Sequence, residues 1–369
     1  MWEAYLFQVT TGSLGPRIST SQSSWSISLN ETESFGVDLK KSELPDLDLN
    51  YWLEPWWAGV VLVYDGRPIA AGPIISRPYE TFDTIRLDCR GIRAILERRF
   101  VINELSDWTK VSRDVVQYKG LSLGTIAKRV VQKGQQKPGG MLPIAYRTPE
   151  QTAANDADHQ RTYKGYNLQN IDVDAVLTKL SEVTNGPDVM FKPRFIEDNR
   201  IVFDLWTGSE NDPRIPQSRT PIWDMNAVNS TITDLQIVTT GTYKTTRAFA
   251  TGTGTNEALL MRMAEDDRPL QKGFPMLETV ESFGEIKTAS VVQAHANATL
   301  KANSDKLIEI QLTVRADGLY KLGTFWPGDR IQLVTKNLLS LKDGIHNLRL
   351  LNINGSNDNL VKLSAQTER

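Results

Sequence analysis

Three histidines, one cysteine and 44 acidic side chains are the raw material for chemistry in this 369-residue chain. Their spacing decides what they can do. His159, His295 and His346 are scattered and form no metal-spaced pair. His159 stands beside Asp156 and Asp158, a trio with the donors for a cation, inside a polar stretch that reads as a loop. His295 falls in a helical pattern and His346 at the start of a strand pattern, as ordinary surface or core residues. Asp46, Asp48 and Asn50 imitate the opening of a calcium loop, but Tyr51 replaces the glycine of position six and Trp57 the glutamate of position twelve. Glu265-Asp266-Asp267 reads as a solvated acidic loop.

Nucleophilic and phosphate chemistry find no better footing. The chain has no G-x-S-x-G elbow and no G-x-x-x-x-G-K-[ST] loop. Its nearest glycine-rich run, Gly252-Thr253-Gly254-Thr255-Asn256, lacks a third glycine and a following helix pattern, so a flexible turn is expected. Carboxylate pairs for glycoside hydrolysis need a separation that spacing alone does not supply. The single Cys89 excludes an internal disulfide and a thiolate-rich metal site, and in the run Ile85 to Cys89 it is expected to be buried and inert. No catalytic, cofactor-binding or metal site is therefore assigned, and a non-enzymatic protein is expected. Trp52, Trp56 and Trp57 cluster among nine tryptophans. Stacked aromatics can bind sugars or bases, but these flank an apolar strand and point to core and subunit-interface packing.

Composition narrows the partners. A formal net charge of -2, with 40% hydrophobic and 23% charged residues, is a globular balance without the basic surface that holds nucleic acid. The basic runs Arg93, Arg98, Arg99 and Lys128, Arg129, Lys133 read as solvated helix faces. Met1 to Phe7 lacks a basic segment followed by an apolar core, so no signal peptide is expected. The richest apolar run, Trp56 to Tyr64, is of strand length, so no membrane insertion is expected either. Folding in a reducing cytoplasm follows, and the sequons at Asn30, Asn229 and Asn297 then carry no information.

The elements that must position these residues are mostly strands. Trp57 to Tyr64 turns at Asp65-Gly66 into Pro68 to Ile75, and Thr84 to Cys89 follows. Ile92, Ile95 and Leu96 then predict a helix from about Gly91. Ser122 caps a second helix that Gly134 ends, and Asp172 caps a third through Val173, Val176, Leu177 and Leu180, stopped by Asn185-Gly186-Pro187. Between them, 134–170 reads as a long loop. A hairpin runs from Val189 to Leu205 around Glu197-Asp198-Asn199. Leu235 and Ile237 alternate in a strand whose expected partner, across Gly241, is Ala248 to Thr251. A helix near Glu285 carries the stripe Ala289, Val292, Ala296, Leu300 and a small-residue face of Ala294, Ala298 and Ala302. Ile308, Ile310, Leu312 and Val314 open a second β unit that ends in a hairpin around Gly355-Ser356-Asn357-Asp358.

Four segments in this order resemble a known family. They are Gly186-Pro187-Asp188 through Asp204-Leu205-Trp206-Thr207-Gly208, Trp223-Asp224, Asp267-Arg268-Pro269-Leu270 to Gly273-Phe274-Pro275, and Leu322-Gly323-Thr324-Phe325-Trp326-Pro327-Gly328-Asp329. The chain resembles minor tail proteins of actinobacterial siphophages, and through them the baseplate hub or tail-associated family. The resemblance implies an α+β, β-rich fold with two small antiparallel β-barrel domains and α/β and helical insertions. It divides the chain into a first barrel at 1–105 completed by about 205–250, an inserted α/β region at 106–204, a connector with the Ala-rich helix at 251–304, and a second barrel at 305–369. It further implies a homotrimeric ring at the virion tail tip, assembled in the host cytoplasm. Such a ring joins the tail tube, distal tail protein and tape-measure protein to other tip proteins, and phage DNA passes through it transiently. Since the chain ends just after its second β unit, host binding and wall digestion would fall to other proteins. A hexameric distal tail protein, a carbohydrate-binding module and a cell-wall hydrolase are the alternatives.

Overall fold

The computed structural model describes all residues except 45, 47, 154–159, 184, 198, 285, 305–306 and 368–369. Strand makes up 42% and helix 20%, so the chain adopts the expected β-rich α+β class. It divides into a larger unit, Met1–Leu235 with Gln311–Arg369, and a smaller one, Gln236–Ile310.

The larger unit opens with β1 (Trp2–Gln8), β2 (Leu14–Ile18), β3 (Thr20–Ser28) and β4 (Ser34–Lys40). A one-turn helix, α1 (Leu49–Trp52), leads into β5 (Ala58–Tyr64), β6 (Arg67–Ser76) and β7 (Thr84–Arg90). Asp65 and Gly66 both take positive φ, 50° and 76°, which the tight β5–β6 turn requires. Every residue of β5 is buried, because both faces of its sheet are covered, and that is why it reads as an unbroken apolar run. One face, with Phe7, Val61, Val63 and Ala71, packs on the helical insertion. On the other, Trp2 meets Trp25 of β3 with ring centroids 5.9 Å apart. The helix expected after Gly91 is a 3-10 helix, Ile92–Arg98.

The insertion carries β8 (Val115–Tyr118), α2 (Leu123–Gln135), β9 (Ile144–Tyr146), β10 (Arg161–Lys164), α3 (Val173–Glu182), β11 (Val189–Ile196) and β12 (Arg200–Thr207). Ser122 Oγ accepts from Thr125 N at 3.2 Å and Asp172 Oδ1 from Ala175 N at 2.8 Å, the caps that the sequence predicts. The stretch read as a loop, 134–170, holds two short strands: β9 runs parallel to β12, and β10 pairs with β8. Beyond lie β13 (Ile222–Asp224) and β14 (Ile232–Thr240).

Within β14 the chain enters the smaller unit, which contains β15 (Arg247–Thr251), β16 (Met261–Glu265), α4 (Arg268–Gln271), β17 (Glu278–Ser282) and α5 (Ala289–Ala302). Here one expectation is corrected. The segment 248–251 lies in β15, which pairs with β16 and β17 rather than with the preceding strand, so both of its edges are occupied. Ala250, Ala264, Val292 and Ala296 form the small core under α5. Ala294, Ala298 and Ala302 are exposed. Glu285, where this helix was expected to begin, lies outside the described residues.

The chain re-enters the larger unit within β18 (Leu307–Arg315) and closes with β19 (Arg330–Thr335), β20 (Gly344–Ser356) and β21 (Leu360–Thr367). Ile310, Leu312 and Val314 are buried, as their alternation predicts. β20 pairs with β3 from Asn352↔Ser28 to Ser356↔Ser24. That ladder joins the N-terminal and C-terminal strands into one 13-stranded sheet, ordered β14-β18-β21-β20-β3-β4-β7-β6-β5-β1-β2, with β13 and β19 off the path. Among the described residues no sheet closes into a barrel.

Candidate functional site

Three of the four segments carrying the family resemblance meet at one junction. Asp188, just before β11, is buried; its N–H donates to Pro213 O at 2.7 Å and its carbonyl accepts from Gly208 N at 2.9 Å. Its carboxylate accepts from Ile215 N at 3.1 Å and from the Arg349 guanidinium of β20. Gly328 lies alongside with φ 94°, and a Cβ there would sit 3.1 Å from Leu29 Cδ1 and 3.7 Å from Asp188 Oδ2. The adjoining Asp329 is buried and accepts from Trp326 N at 2.8 Å. Lys192 Nζ stands 5.7 Å from the centroid of Trp326. Trp223 packs edge-on against Phe325 at 5.4 Å.

Burial dominates the electrostatics at this junction. It pushes the Asp188 carboxyl up, with Arg349 opposing, and the Asp329 carboxyl up, with Lys192 opposing. It pushes the Lys192 ammonium down, against the pull of Asp329 and Asp188. Asp204 sits apart, buried between Arg147 at 2.9 Å and Arg194 at 2.7 Å. These groups are consumed by one another, so the chemistry of the segments is that of a structural clasp.

A second feature is a polar stretch of sheet face. Ser24, Ser26 and Ser28 of β3 face Asn352, Asn354 and Ser356 of β20. Asn352 Nδ2 donates to Ser26 Oγ at 3.0 Å and Ser28 Oγ at 2.9 Å, and Asn354 Nδ2 to Asn352 Oδ1 at 2.8 Å. The charges on this face neutralise one another: Arg86 lies over Gly36 and pairs with Asp38 at 3.2 Å and Asp88 at 3.1 Å, and Arg90 pairs with Glu97. An open groove of about 540 Å³ runs along it. In the smaller unit, by contrast, the sheet face away from α5 exposes Met263 and Val280 on either side of Phe249.

The residues singled out by type behave as follows. His295 stacks on Phe283 at 4.0 Å, and His346 Nε2 lies 2.9 Å from Thr335 Oγ1 and 2.7 Å from Lys342 O. His159, Asp156 and Asp158 lie outside the described residues. Asp48 Oδ1 accepts from Tyr51 N at 3.3 Å. Glu265 pairs with Arg247 at 2.9 Å and Asp266 with Arg268 at 2.7 Å; the latter bond holds the Asp266 carboxyl down at about 2. Cys89 is buried. Gly254 takes φ 113° in a turn whose neighbour Gly252 lies against Ile286 O. Among the described residues no group of three His, Cys, Asp or Glu side chains is placed to hold a metal ion, and no helix is long and apolar enough to cross a membrane.

The basic runs are corrected in part: Arg98 and Arg129 are exposed as expected, whereas other cations of the runs serve the interior. Arg93 is buried against Asp174 and Thr178, and Arg99 reaches Gly134 O at 3.2 Å. Lys128 and Arg129 share Glu150, and Lys133 donates to Asn103 Oδ1 at 2.9 Å. The tryptophan cluster is split. Trp52 and Trp57 pack edge-on at 5.6 Å with Tyr51 beside them, whereas Trp56, at φ 66°, turns to Arg98 at 4.7 Å.

No family model matches the chain, and no curated protein matches it. Solved structures do. The tail protein from Neisseria meningitidis MC58 aligns with a TM-score of 0.60 at 14% identity, over 100% of this chain and 97% of that one. The 43 kDa tail protein of prophage MuSo2 from Shewanella oneidensis aligns at 0.58 and 12%, over 99% and 98%. Prophage tail protein gp18 from Listeria monocytogenes EGD-e aligns at 0.51 and 8%, over 99% and 94%. From end to end, the fold of this chain is one that phage tail proteins share.

Proposed function

We propose that this chain is a structural hub of a phage tail tip, a minor tail protein of the kind found in actinobacterial siphophages. Three copies close a ring that joins the tail tube, the distal tail protein and the tape-measure protein to the tip, and DNA passes through its channel. Each copy supplies two β segments, 1–105 with its completion at 205–250 and 305–369, so that three copies present six around the ring. The role is non-enzymatic and belongs to the virion.

The observation that carries this reading is the end-to-end likeness to three tail proteins. Two features support it. The neutral Ser and Asn face of β3 and β20, with its arginines already paired, is a surface along which a polyanion slides without being gripped. Among the described residues no further strand pairs with the outer edges of β16 and β17, a hazard in a monomer and ordinary where copies assemble.

Copy number tests it. Cryo-electron microscopy of tails containing this protein is expected to show three copies in one ring around the channel. Six equivalent copies would replace the hub with a distal tail ring, and density away from the tail axis would end both readings.

A further inference from the structure

We propose that the open cavity beside Trp2 is a saccharide-binding site that takes a neutral pyranoside unit of a glycan. The cavity, about 510 Å³, lies in the larger unit where the ends of β1, β3 and β5 meet the β20–β21 turn. Its wall is one partly exposed indole. Trp2 is backed by two buried rings, Tyr64 at 5.1 Å and Trp25 at 5.9 Å, and is fixed in rotation by Nε1 donating to Asp358 O at 2.7 Å. A rigid aromatic face of this kind matches the C–H face of a sugar ring, which loses little entropy on docking against it.

The rim supplies what sugar hydroxyls need. Asp317, Asn357, Asp358 and Asn359 line the same cavity. They are planar amide and carboxylate groups, able to accept from or donate to vicinal hydroxyls. Tyr64 Oη donates to Asn359 Oδ1 at 2.6 Å, and Arg315 holds Asp317 through two contacts of 3.0 Å, so the rim is set before any ligand arrives. These contacts keep the Asp317 carboxyl down at about 2, ionised at any physiological pH. Asp317 is paired with Arg315, and the N-terminal residue Met1 lines the same cavity as Asp358, so the rim is close to charge-balanced and offers a charged ligand no unpaired opposite charge, which is why the ligand is neutral.

The cluster of Trp52, Trp56 and Trp57 does not offer the same platform. Trp52 packs closely against Gly15, and Trp56 is covered by Arg98. The site at Trp2 stands independently of ring stoichiometry.

Calorimetric titration of the purified full chain with maltotriose and with the N-acetylglucosamine trimer tests the site, with a galacturonate trimer as the charged probe. Binding of at least one neutral trimer is expected, weakened about tenfold or more by Trp2→Ala through loss of the stacking face. Asn357→Ala, at a partly exposed rim position outside the aromatic stack, is expected to weaken it with thermal stability unchanged. This second variant keeps the test decisive if Trp2→Ala disturbs the fold. No binding of either neutral trimer, equal binding of the galacturonate trimer, or affinity unchanged in Asn357→Ala would each overturn the proposal.

Discussion

Arg349 reaches across 161 residues of sequence to set one guanidinium nitrogen against both carboxylate oxygens of Asp188. The pair ties the C-terminal β unit to the start of the β11–β12 hairpin. Its two ends are unequally solvated: the Asp188 side chain is 5% exposed and that of Arg349 25%. Burial raises the Asp188 carboxyl even with the guanidinium beside it, so the ion pair does not fully offset its desolvation. Removing the cation leaves a buried carboxylate with no counter-charge. Removing the anion leaves a guanidinium whose side chain is partly exposed, although its Nε is buried. Arg349→Met is therefore expected to cost about 3–5 kcal/mol and Asp188→Asn about 1–2 kcal/mol, measured by urea unfolding at neutral pH. Equal losses would show that the asymmetry of burial does not govern the pair.

Glu33, in the β3–β4 turn, is the clearest source of pH-dependent stability. It is 6% exposed, and burial pushes its carboxyl up from 4.5 to about 8, a hydrogen bond from the Ala71 backbone offsetting part of the rise. Below pH 4.5 the group is protonated both folded and unfolded, so it costs nothing. Between 4.5 and 8 the unfolded chain ionises it and the folded chain does not, and stability falls by about 1.4 kcal/mol per pH unit. Above 8 the loss levels off. Glu33→Gln removes the titration while keeping the shape. Its gain over the parent is expected to be near zero at pH 4 and about 3 kcal/mol at pH 7, read from urea midpoints across that range. A gain independent of pH would refute the assignment.

These two groups also mark what the residue pattern reveals. Ser122 and Asp172 announce their helices because a cap is a local device, acting within three residues of the helix it starts. The Asp65-Gly66 turn and the alternation through β18 are local in the same sense. Strand partnership is not. The segment 248–251 reads as the mate of the strand before it, yet β16 and β17 fill both edges of β15. The short β9 exists only because β12 lies beside it, so its three residues carry no pattern of their own. Neighbouring tryptophans suggested one cluster, but the positive φ of Trp56 sends its ring elsewhere. The cavity at Trp2 was invisible for the opposite reason, since its rim comes from residues hundreds of positions away.

Cys89 gives a direct reading of native-state opening. It is 2% exposed on β7, and burial pushes its thiol well above the ordinary value, with Asp88 adding to the effect. The thiolate is the reactive form. Native protein is expected to resist a disulfide reagent such as Ellman's at pH 8 over hours, and to react at one thiol per chain within minutes in denaturant. Rapid labelling of native protein would show that β7 leaves the sheet far more often than its burial implies.

Gly72 is where β6 passes from pairing with β5 to pairing with β7. It faces Val60 of β5, and two residues later Ile74 pairs with Cys89 of β7. A Cβ on Gly72 would fall 1.8 Å from Arg90 O and 2.9 Å from Gly91 C. Both atoms are backbone, so no rotamer change relieves the clash, and β7 itself must move. Overpacking of a well-filled interior costs about 1–3 kcal/mol even where side chains can adjust, so Gly72→Ala is expected to reach or exceed the upper end. Gly241→Ala is the control: a Cβ there meets nothing within 4 Å, and its stability is expected to stay within about 0.5 kcal/mol of the parent. Matched urea curves for the two variants separate backbone crowding from a general penalty for replacing glycine. If Gly72→Ala unfolds at the parent midpoint, β6 and β7 cross with more slack than this contact allows.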